Sequence, residues 1–324
     1  MKKVFHILFR LLLLVTATTV QAQYTYTTAN GTITITGYSG LASTLNIPTN
    51  IGGLPVTSIG TSAFQEDLSL SSVSIPNSVT NIEDNAFNIC LSLTNVTMGN
   101  SVIAIGDYAF FACNSLSNIT IPASVTTIGD SAFGATPLYS ISIPASVTNI
   151  GVNPFPGCYR LPAINVATNN PTYSSVAGVL FDLNQTTLIA YPPGDVGTSY
   201  NIPNSTTSIA PYAFEDGENL TNISIPNSVI SIGEDAFLGC SSLTSVNIPS
   251  SVTNVGYGAF SYCFSLTAIN LDTNNPAYSS APGSCSTRPR PRSSNTQPAM
   301  LQPPIRFPTT SPASRNRRCK AVNT

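Results

Sequence analysis

A phenylalanine recurs at nearly constant intervals through most of the chain. The step is 23 residues, with one step of 22 and one longer gap, at Phe64, Phe87, Phe110, Phe133, Phe155, Phe214, Phe237 and Phe260. A unit of about 23 residues is too small to bury an apolar face by itself, so neighbouring copies must stack to share a continuous core. The period therefore predicts a solenoid.

The residues around each Phe are also repeated. The copies NSVTNIEDNAFNICLSLTNVTM, from Asn77, and NSVISIGEDAFLGCSSLTSVNIP, from Asn227, share the consensus V-T-x-I-G-x-x-A-F-x-x-C-x-S-L-T-x-V-x-I-P. In SLTSVNIP, Val246 and Ile248 alternate with polar residues, which indicates a strand. Pro249 has no N–H to give to a ladder and ends that strand.

Two further pieces complete each copy. The stretch SVTNVG is a second short extended segment that stops at Gly256. The stretch GAFSYC predicts one tight helical turn that packs Phe260 and Cys263 inward. Each coil is therefore expected to contain two short strands and a turn, with identical residues stacked between coils.

The pattern L-x-x-V-x-I within this period is that of a leucine-rich repeat. In detail, IGDYAFFACNSLSNITIPASV, from Ile105, resembles the pattern IGxxAFxxCxxLxxIxIPxSV of the BspA-like bacterial leucine-rich repeat surface proteins. The resemblance covers about residues 24–280. It implies a leucine-rich repeat solenoid that is mainly β, a parallel sheet of stacked coils with short helical turns. It also implies an exported or surface-exposed protein, since members of this family are implicated in adhesion to host matrix proteins and other cells.

Two segments interrupt the array. In residues 24–38 Thr alternates with Tyr or Ile around Asn30-Gly31, a dipeptide that favours a type I′ turn, so a hairpin is expected to cap the first coil. The runs GVLFD and TTLIAYP predict a second hairpin that projects from one edge of the solenoid. The expected organisation is a signal peptide (1–22), a cap with the first coil (23–55), repeats (56–166), a hairpin insertion (167–200), repeats (201–280) and a tail (281–324).

The N-terminal sequence MKKVFHILFRLLLLVTATTVQAQ is typical of a secretory signal peptide. Lys2 and Lys3 precede a short apolar run, and VQA predicts cleavage after Ala22. A membrane anchor is the alternative, but the apolar run is much shorter than the roughly 20 residues of a membrane span. The mature protein is therefore expected to be secreted or held at the cell surface, with no membrane span.

Charge is scarce and unevenly distributed. Charged residues make up 8% of the chain; all 14 acids lie between Glu66 and Asp272, and Arg160 is the one base in residues 23–287. That segment has a formal charge of 1 − 14 = −13, and eight of the 12 bases lie at Arg288 and beyond. An acidic body repels phosphate backbones, which argues against nucleic acid as a partner.

No catalytic constellation appears. The one histidine, His6, lies in the predicted signal peptide, so the mature chain lacks an imidazole for a nucleophilic triad or a zinc site. Carboxylates are paired near the Phe turns, where they are expected to be solvated capping groups: Glu83 with Asp84, Asp216 with Glu218, and Glu234 with Asp235. Weak calcium binding is the alternative, although no D-x-D-x-D-G loop is present. No enzyme activity, cofactor or metal is predicted.

Cysteine recurs three residues after the repeat Phe, at Cys90, Cys113, Cys158, Cys240 and Cys263. Coils about 4.8 Å apart would bring Cys90 and Cys113 near disulfide distance, and export permits oxidation. Thr136 fills the same slot in one repeat, however, which indicates a core position. Buried thiols acting as small apolar groups are the preferred prediction.

The outward positions of the predicted sheet form an uncharged ladder of amides and hydroxyls. Its members are Asn95, Thr97, Asn118, Thr120, Ser140, Ser142, Asn222, Ser224, Ser245 and Asn247. One interpretation is that these side chains only keep an exposed sheet soluble. The other is an extended face that binds protein partners, such as extracellular matrix or other cell-surface proteins, or a glycan.

The predicted function is adhesion or protein–protein interaction at the cell surface by an exported, non-enzymatic repeat protein. A polysaccharide-binding accessory module is one alternative. Another is that the array is the scaffold of a larger protein truncated by a frameshift.

The frameshift hypothesis comes from two related stretches that diverge. NNPTYSS from Asn169 and NNPAYSS from Asn274 match, but after Ser280 the second copy turns to arginine and proline. Read from the third base of each codon, GSCST can encode VLFD, as at residues 179–182, and the same frame then holds LIQYPTG against LIAYPPG from Leu188. Residues from about 281 onward are therefore predicted to be a frame-shifted, disordered reading of further repeats, which would leave the last coil uncapped. A natural basic, Pro-rich linker is the alternative.

Overall fold

The computed structural model describes residues 23–278. The chain divides into two compact units, Met1–Phe155 (unit 1) and Pro156–Thr324 (unit 2). The expected signal peptide and the expected frame-shifted tail lie outside the described residues. Within the described part every regular element is a strand, and no helix there is long and apolar enough to cross a membrane.

The described part of unit 1 forms short strands joined by turns. They are β1 (Tyr24–Ala29), β2 (Thr32–Tyr38), β3 (Thr44–Asn46), β4 (Asn50–Ile51), β5 (Leu54–Ile59), β6 (Ser72–Ser74), β7 (Asn81–Ile82), β8 (Asn95–Thr97), β9 (Ala104–Ile105), β10 (Thr127–Ile128), β11 (Ile141–Ile143) and β12 (Asn149–Ile150). One sheet has the order β1-β2-β5-β7-β9-β10-β12, with β4 paired to β5, and a second has the order β3-β6-β8.

Unit 2 repeats this two-sheet plan. Its strands are β13 (Ile164–Val166), β14 (Tyr173–Val176), β15 (Val179–Asp182), β16 (Thr187–Ala190), β17 (Ser199–Asn201), β18 (Ser208–Ile209), β19 (Asn222–Ser224), β20 (Ser231–Ile232), β21 (Ser245–Ile248), β22 (Asn254–Val255) and β23 (Ala268–Leu271). One sheet has the order β14-β15-β16-β18-β20-β22, and the other β17-β19-β21-β23.

The 23-residue period is the register of these sheets. Equivalent residues of successive coils pair in parallel, as in Asn222 with Ser245 and Ser245 with Ala268. The expected alternation is confirmed, since Val246 and Ile248 are each 1% exposed while Asn247 between them is exposed. Each unit is thus a parallel β-solenoid, as the period predicted.

The turn around each Phe is where the helical expectation is wrong. Residues two before and two after each repeat Phe have positive φ, and these pairs are Ser62/Glu66, Asn85/Ile89, Tyr108/Ala112, Ser131/Ala135, Asn153/Gly157, Tyr212/Asp216, Asp235/Gly239 and Gly258/Tyr262. An α-helix needs consecutive residues of right-handed conformation. The two residues of positive φ interrupt such a run on both sides of each Phe. The N–H of Phe64 instead donates to the Ala86 carbonyl of the next coil at 2.8 Å, so the turns also stack through backbone hydrogen bonds.

Stacked rings form the centre of each unit. In unit 1, the Phe64 and Phe87 centroids are 5.0 Å apart at 5°, and the column continues through Phe110, Phe133 and Phe155. In unit 2, Phe214, Phe237 and Phe260 stack at 4.8 and 5.0 Å. The six of these eight rings that are fully buried anchor the core, and Phe64 and Phe260 are each only 2% exposed.

A hairpin starts the main sheet of each unit. Asn30 and Gly31 have φ of 52° and 75°, which fits the predicted type I′ turn between β1 and β2. β2 then pairs in parallel with β5 and so begins the repeat sheet.

The insertion does the same in unit 2. The two predicted strands are present as β15 and β16, and β14 adds a third that pairs antiparallel with β15. β16 continues in parallel with β18. The expectation that this hairpin projects from an edge was therefore wrong, because β16 is a regular member of the repeat sheet.

Candidate binding face

Three of the six predicted ladder residues of unit 1 lie on strands, namely Asn95 and Thr97 on β8 and Ser142 on β11. Asn95 and Thr97 pair in register with Ser72 and Ser74 of β6. The six predicted residues are all exposed: Asn95, Thr97, Asn118, Thr120, Ser140 and Ser142. Residues 118–120 are not assigned as a strand, so the ladder continues there without regular pairing. These positions form the polar ladder of unit 1.

The polar ladder of unit 2 lies on β19 and β21. Asn222, Ser224 and Asn247 are exposed, and Ser245 is half-buried. Asn222 pairs with Ser245 across the two strands. At the far end, the Asn270 side-chain amide donates to Asn247 Oδ1 at 2.9 Å. Side-chain amides therefore contact one another along the sheet, which aligns them.

Both ladders extend further than the sequence indicated. The ladder of unit 1 includes β3 and β6, whose outward residues are Thr44, Asn46, Ser72 and Ser74. The ladder of unit 2 includes Ser199, Asn201 and Asn270. The β3 and β17 segments lack the SLT consensus and precede the first Phe of their units. In the sequence, the one indication that these segments are strands was their short polar–apolar–polar pattern, TLN in β3 and SYN in β17.

The polar side chains divide into two groups. One group bonds between coils: Thr94 Oγ1 donates to the Ser71 carbonyl at 2.9 Å, and Thr244 Oγ1 to the Thr221 carbonyl at 3.2 Å. The ladder residues face outward and carry amide and hydroxyl groups without a formal charge, and their hydrogen bonds between coils join one side chain to another, as from Asn95 to Ser72 Oγ at 3.2 Å. Such a surface can exchange hydrogen bonds with a ligand but supplies no group that titrates near neutral pH.

Carboxylates lie on a different surface, beside the Phe turns. Asp84 Oδ1 accepts from the Asp107 N–H at 2.9 Å, Asp107 Oδ1 from the Asp130 N–H at 2.7 Å, and Asp130 Oδ1 from the Val152 N–H at 2.6 Å. The sequence predicted solvated capping groups for this surface. In unit 1 Asp84 is exposed, and these carboxylates also bridge successive coils by accepting backbone N–H groups.

In unit 2 the carboxylates associate with tyrosines. Burial raises the pKa of Asp216, and a hydrogen bond from the Tyr159 hydroxyl opposes that shift. Burial and the nearby Asp216 raise the pKa of Tyr159 to about 12. Burial also raises the pKa of Asp235. Within residues 23–278, no three His, Cys, Asp or Glu side chains converge in a way that would hold a metal ion.

The five cysteines within residues 23–278 are buried thiols, as predicted. Cys90 Sγ lies 3.0 Å from the Phe64 carbonyl oxygen, and Cys240 Sγ 3.1 Å from that of Phe214, as hydrogen-bond donors to the preceding coil. Burial raises the pKa of Cys90 and of Cys263 to about 12. Thr136 in the same slot donates to the Phe133 carbonyl at 2.6 Å. The thiols of Cys90 and Cys240 and the hydroxyl of Thr136 therefore act as small donors at this position.

The sequence model of the BspA type leucine rich repeat region matches the chain in six copies, over residues 42–176 and 197–284. The chain belongs to the BspA-type leucine-rich repeat family. Repeats of this type generally mediate protein–protein interaction, and proteins that carry them are typically surface-associated.

Known structures share the fold of this BspA-type protein. A leucine-rich repeat protein from Eubacterium ventriosum is 30% identical, with a TM-score of 0.67 over 75% of this chain and 68% of that one. The pneumococcal vaccine antigen PcpA is 23% identical, with a TM-score of 0.60 over 78% and 80%. A leucine-rich repeat protein from Bacteroides ovatus is 24% identical, with a TM-score of 0.54 over 78% and 76%. No curated protein matches significantly.

Proposed function

We propose that this BspA-type protein is an exported, non-enzymatic adhesin or interaction protein that binds protein partners at the cell surface through its polar ladders. The observation that carries the proposal is the in-register, uncharged array of exposed and half-buried side chains on β19 and β21, with its counterpart on β6 and β8. An array of amides and hydroxyls suits an extended, polar protein surface, because each coil adds further donors and acceptors at a fixed spacing.

The chemistry of the described residues supports a non-enzymatic role. Histidine is absent from residues 23–278. The cysteine thiols are buried, and their raised pKa values keep them protonated at neutral pH, which makes them poor nucleophiles. Lys2, Lys3 and the apolar run before Ala22 support export.

Binding of the exported chain to immobilised matrix proteins, host-cell surface proteins and a glycan array tests this proposal. The test variant replaces Asn222, Ser224 and Asn247 by alanine. If the ladder is the contact surface, affinity falls at least tenfold, about 1.4 kcal/mol. The matched control is Asn254→Ala on β22, an exposed asparagine in the other sheet of the same unit, and it should bind like the parent.

The outcomes separate the alternatives. Saturable glycan binding without any protein partner would favour the polysaccharide-binding module. Equal affinity of the parent and the triple variant for the same partner would remove the ladder as the contact surface. Hydrolase activity in the purified protein would contradict the non-enzymatic role.

The frameshift alternative has its own test. Resequencing the gene around the Ser280 codon should reveal an open reading frame that encodes further repeats in register with residues 179–209. A frame without repeats would mean that the basic segment is a natural tail. In either case the ladders of the described coils keep the residues given above.

A further inference from the structure

The outer strands of the two hairpins differ in their exposure. All four residues of β14 are half-buried. β13 packs beside it: the Val166 N–H donates to Ser175 Oγ at 3.3 Å, and the Ile164 N–H to the Gly178 carbonyl at 2.8 Å. In β1, Tyr24 is buried and the other five residues are exposed. Within residues 23–278, β2 is the one strand that pairs with β1.

An exposed edge strand is a template for another strand, because alternate N–H and C=O groups point away from its partner. Proteins usually protect such edges with charge, proline or a bulge. β1 has the sequence YTYTTA, without charge or proline. Its register shifts between Thr25 and Tyr26 but is regular from Tyr26 to Ala29. Four residues therefore remain available for regular pairing.

Charge determines which occupant fits this edge. Residues 23–65 contain no Asp, Glu, Lys, Arg or His, whereas residues 66–272 contain all 14 acids and a single base. Two copies of so acidic a body repel each other wherever their acidic surfaces approach. Residues 23–65 are the longest uncharged stretch of the described chain, so a second copy can approach the first coil at little of that cost.

An exposed apolar side chain lies in the loop that follows β2. Leu41 is 87% exposed. The loop is held next to the start of β1, because the Ser39 N–H donates to the Gln23 carbonyl at 2.9 Å. Burial of a leucine side chain contributes about 1.5–3 kcal/mol, which would add a hydrophobic contact to a backbone-paired interface.

We propose that two copies of this protein associate through β1, with residues 26–28 of each chain paired antiparallel about a two-fold axis that places Thr27 of one copy opposite Thr27 of the other. Strand addition of this kind forms a closed, symmetric dimer and uses a different sheet from the polar ladder on β3, β6 and β8. The proposal goes beyond partner binding, since it concerns a different sheet and a second copy of the same chain.

Sedimentation velocity and light scattering of the exported chain, from Gln23 onward, test the dimer at micromolar to high micromolar concentration. Thr27 is exposed, so Thr27→Glu and Thr27→Lys leave the core unchanged. Each variant places like charges close to the axis and should be monomeric, with dissociation at least tenfold weaker than in the parent. An equimolar mixture of the two variants should form dimers again, because opposite charges then face each other. Higher salt should strengthen the parent dimer by screening the acidic bodies.

Asn254→Glu and Asn254→Lys on β22 are the matched controls and should dimerise like the parent. Far-UV circular dichroism checks that every variant is folded. A parent that is monomeric at all concentrations, or a dimer that persists in both Thr27 variants, would overturn the proposal. A failure of the mixture to dimerise would also contradict it. None of these outcomes depends on whether the ladders bind a protein partner.

Discussion

The two units begin their aromatic columns with tyrosines from different hairpins. In unit 1, the ring centroids of Tyr38 and Phe64 are 5.7 Å apart, and those of Tyr24 and Tyr38 are 5.2 Å apart. In unit 2, Tyr191 stacks on Phe214 at 5.1 Å. The Tyr191 hydroxyl donates to Asp195 Oδ2 at 2.7 Å, whereas the Tyr24 hydroxyl is buried without a hydrogen-bond partner. In both units a tyrosine ring covers the first Phe of the column. The units differ in that the buried hydroxyl is hydrogen-bonded at Tyr191 and has no partner at Tyr24.

The first prediction asks whether the two columns are equivalent. Phe87→Ala in unit 1 and Phe237→Ala in unit 2 each remove a fully buried ring between two others. Each should lower the free energy of unfolding by about 3–5 kcal/mol. Hydrogen exchange should show the loss of protection centred on the coils that neighbour the substitution. Equal loss of protection throughout both units would indicate one cooperative unit instead of two.

The second prediction concerns alkaline pH. Burial raises the pKa of Tyr24 and of Tyr191, and it raises that of Tyr200 to about 12. A raised folded-state pKa means that the neutral tyrosine is favoured in the folded protein, so its contribution is complete below pH of about 10 and is lost above it. The slope is at most about 1.4 kcal/mol per pH unit for each group. Denaturation midpoints measured from pH 8 to 11 should begin to fall above pH of about 9, where the buried thiols of Cys90 and Cys263 start to contribute, and should fall more steeply above pH of about 10.

The third prediction separates the two tyrosine hydroxyls. Tyr191→Phe removes the hydrogen bond to Asp195 Oδ2 and should lower the free energy of unfolding by about 1–2 kcal/mol. Tyr24→Phe removes a buried hydroxyl that has no partner, so it should be neutral or stabilising by up to about 1 kcal/mol. Urea unfolding of both variants measures the difference. A loss on Tyr24→Phe as large as that on Tyr191→Phe would show that the two hydroxyls are equivalent after all.

The fourth prediction uses the position two residues after the repeat Phe. Unit 2 has Gly239 there, with φ of 74°, whereas unit 1 has Ala112 at φ of 55°. Gly239→Ala should cost about 1–2 kcal/mol, since left-handed backbone disfavours a Cβ, which would also lie 2.8 Å from Asp216 Oδ1. Ala112→Gly should stabilise by about 0.5–1 kcal/mol. Thermal unfolding of both variants checks the opposite signs, and a loss in both would mean that the alanine methyl packs favourably.

The smallest expected effect concerns the carboxylates beside the turns. Asp107→Ala in unit 1 removes the acceptor of the Asp130 N–H and should cost about 0.5–1 kcal/mol. Glu234 at the equivalent position of unit 2 is exposed, so Glu234→Ala should change stability by less than about 0.5 kcal/mol. Asp107→Asn keeps an oxygen in place and is the control. Chemical denaturation of Asp107→Ala and Glu234→Ala in the same buffer measures the difference between their free energies of unfolding.

Much of the fold follows from local pattern. The Phe period predicted the coil, the alternation of Val246 with Ile248 predicted the strand, and Asn30-Gly31 predicted the turn. The conformation of the Phe turn did not follow, because positive φ at residues such as Ile89 is stabilised by hydrogen bonds to the next coil. A β-branched residue gives no sign of such a conformation in the sequence.

The polar ladder was predictable only where the repeat is regular. Asn95 and Asn222 lie at consensus positions and were found from the pattern, whereas Ser199 and Thr44 belong to strands that precede the first Phe of each unit. Their place in the ladder depends on parallel pairing with the next coil. The coil-bridging role of Asp107 depends on the same pairing, since its partner is 23 residues away.

Because equivalent residues stack in register, any coil presents nearly the same upper and lower surface as any other. A coil can therefore be gained or lost without redesign of its neighbours, and the ring spacing of 5.0 Å between Phe64 and Phe87 sets the increment. A duplicated 23-residue segment corresponds to 69 bases, a multiple of three, so recombination between repeats keeps the reading frame. Gain or loss of repeats can therefore change the length of the polar ladder in fixed steps, without changing the residues of the other coils.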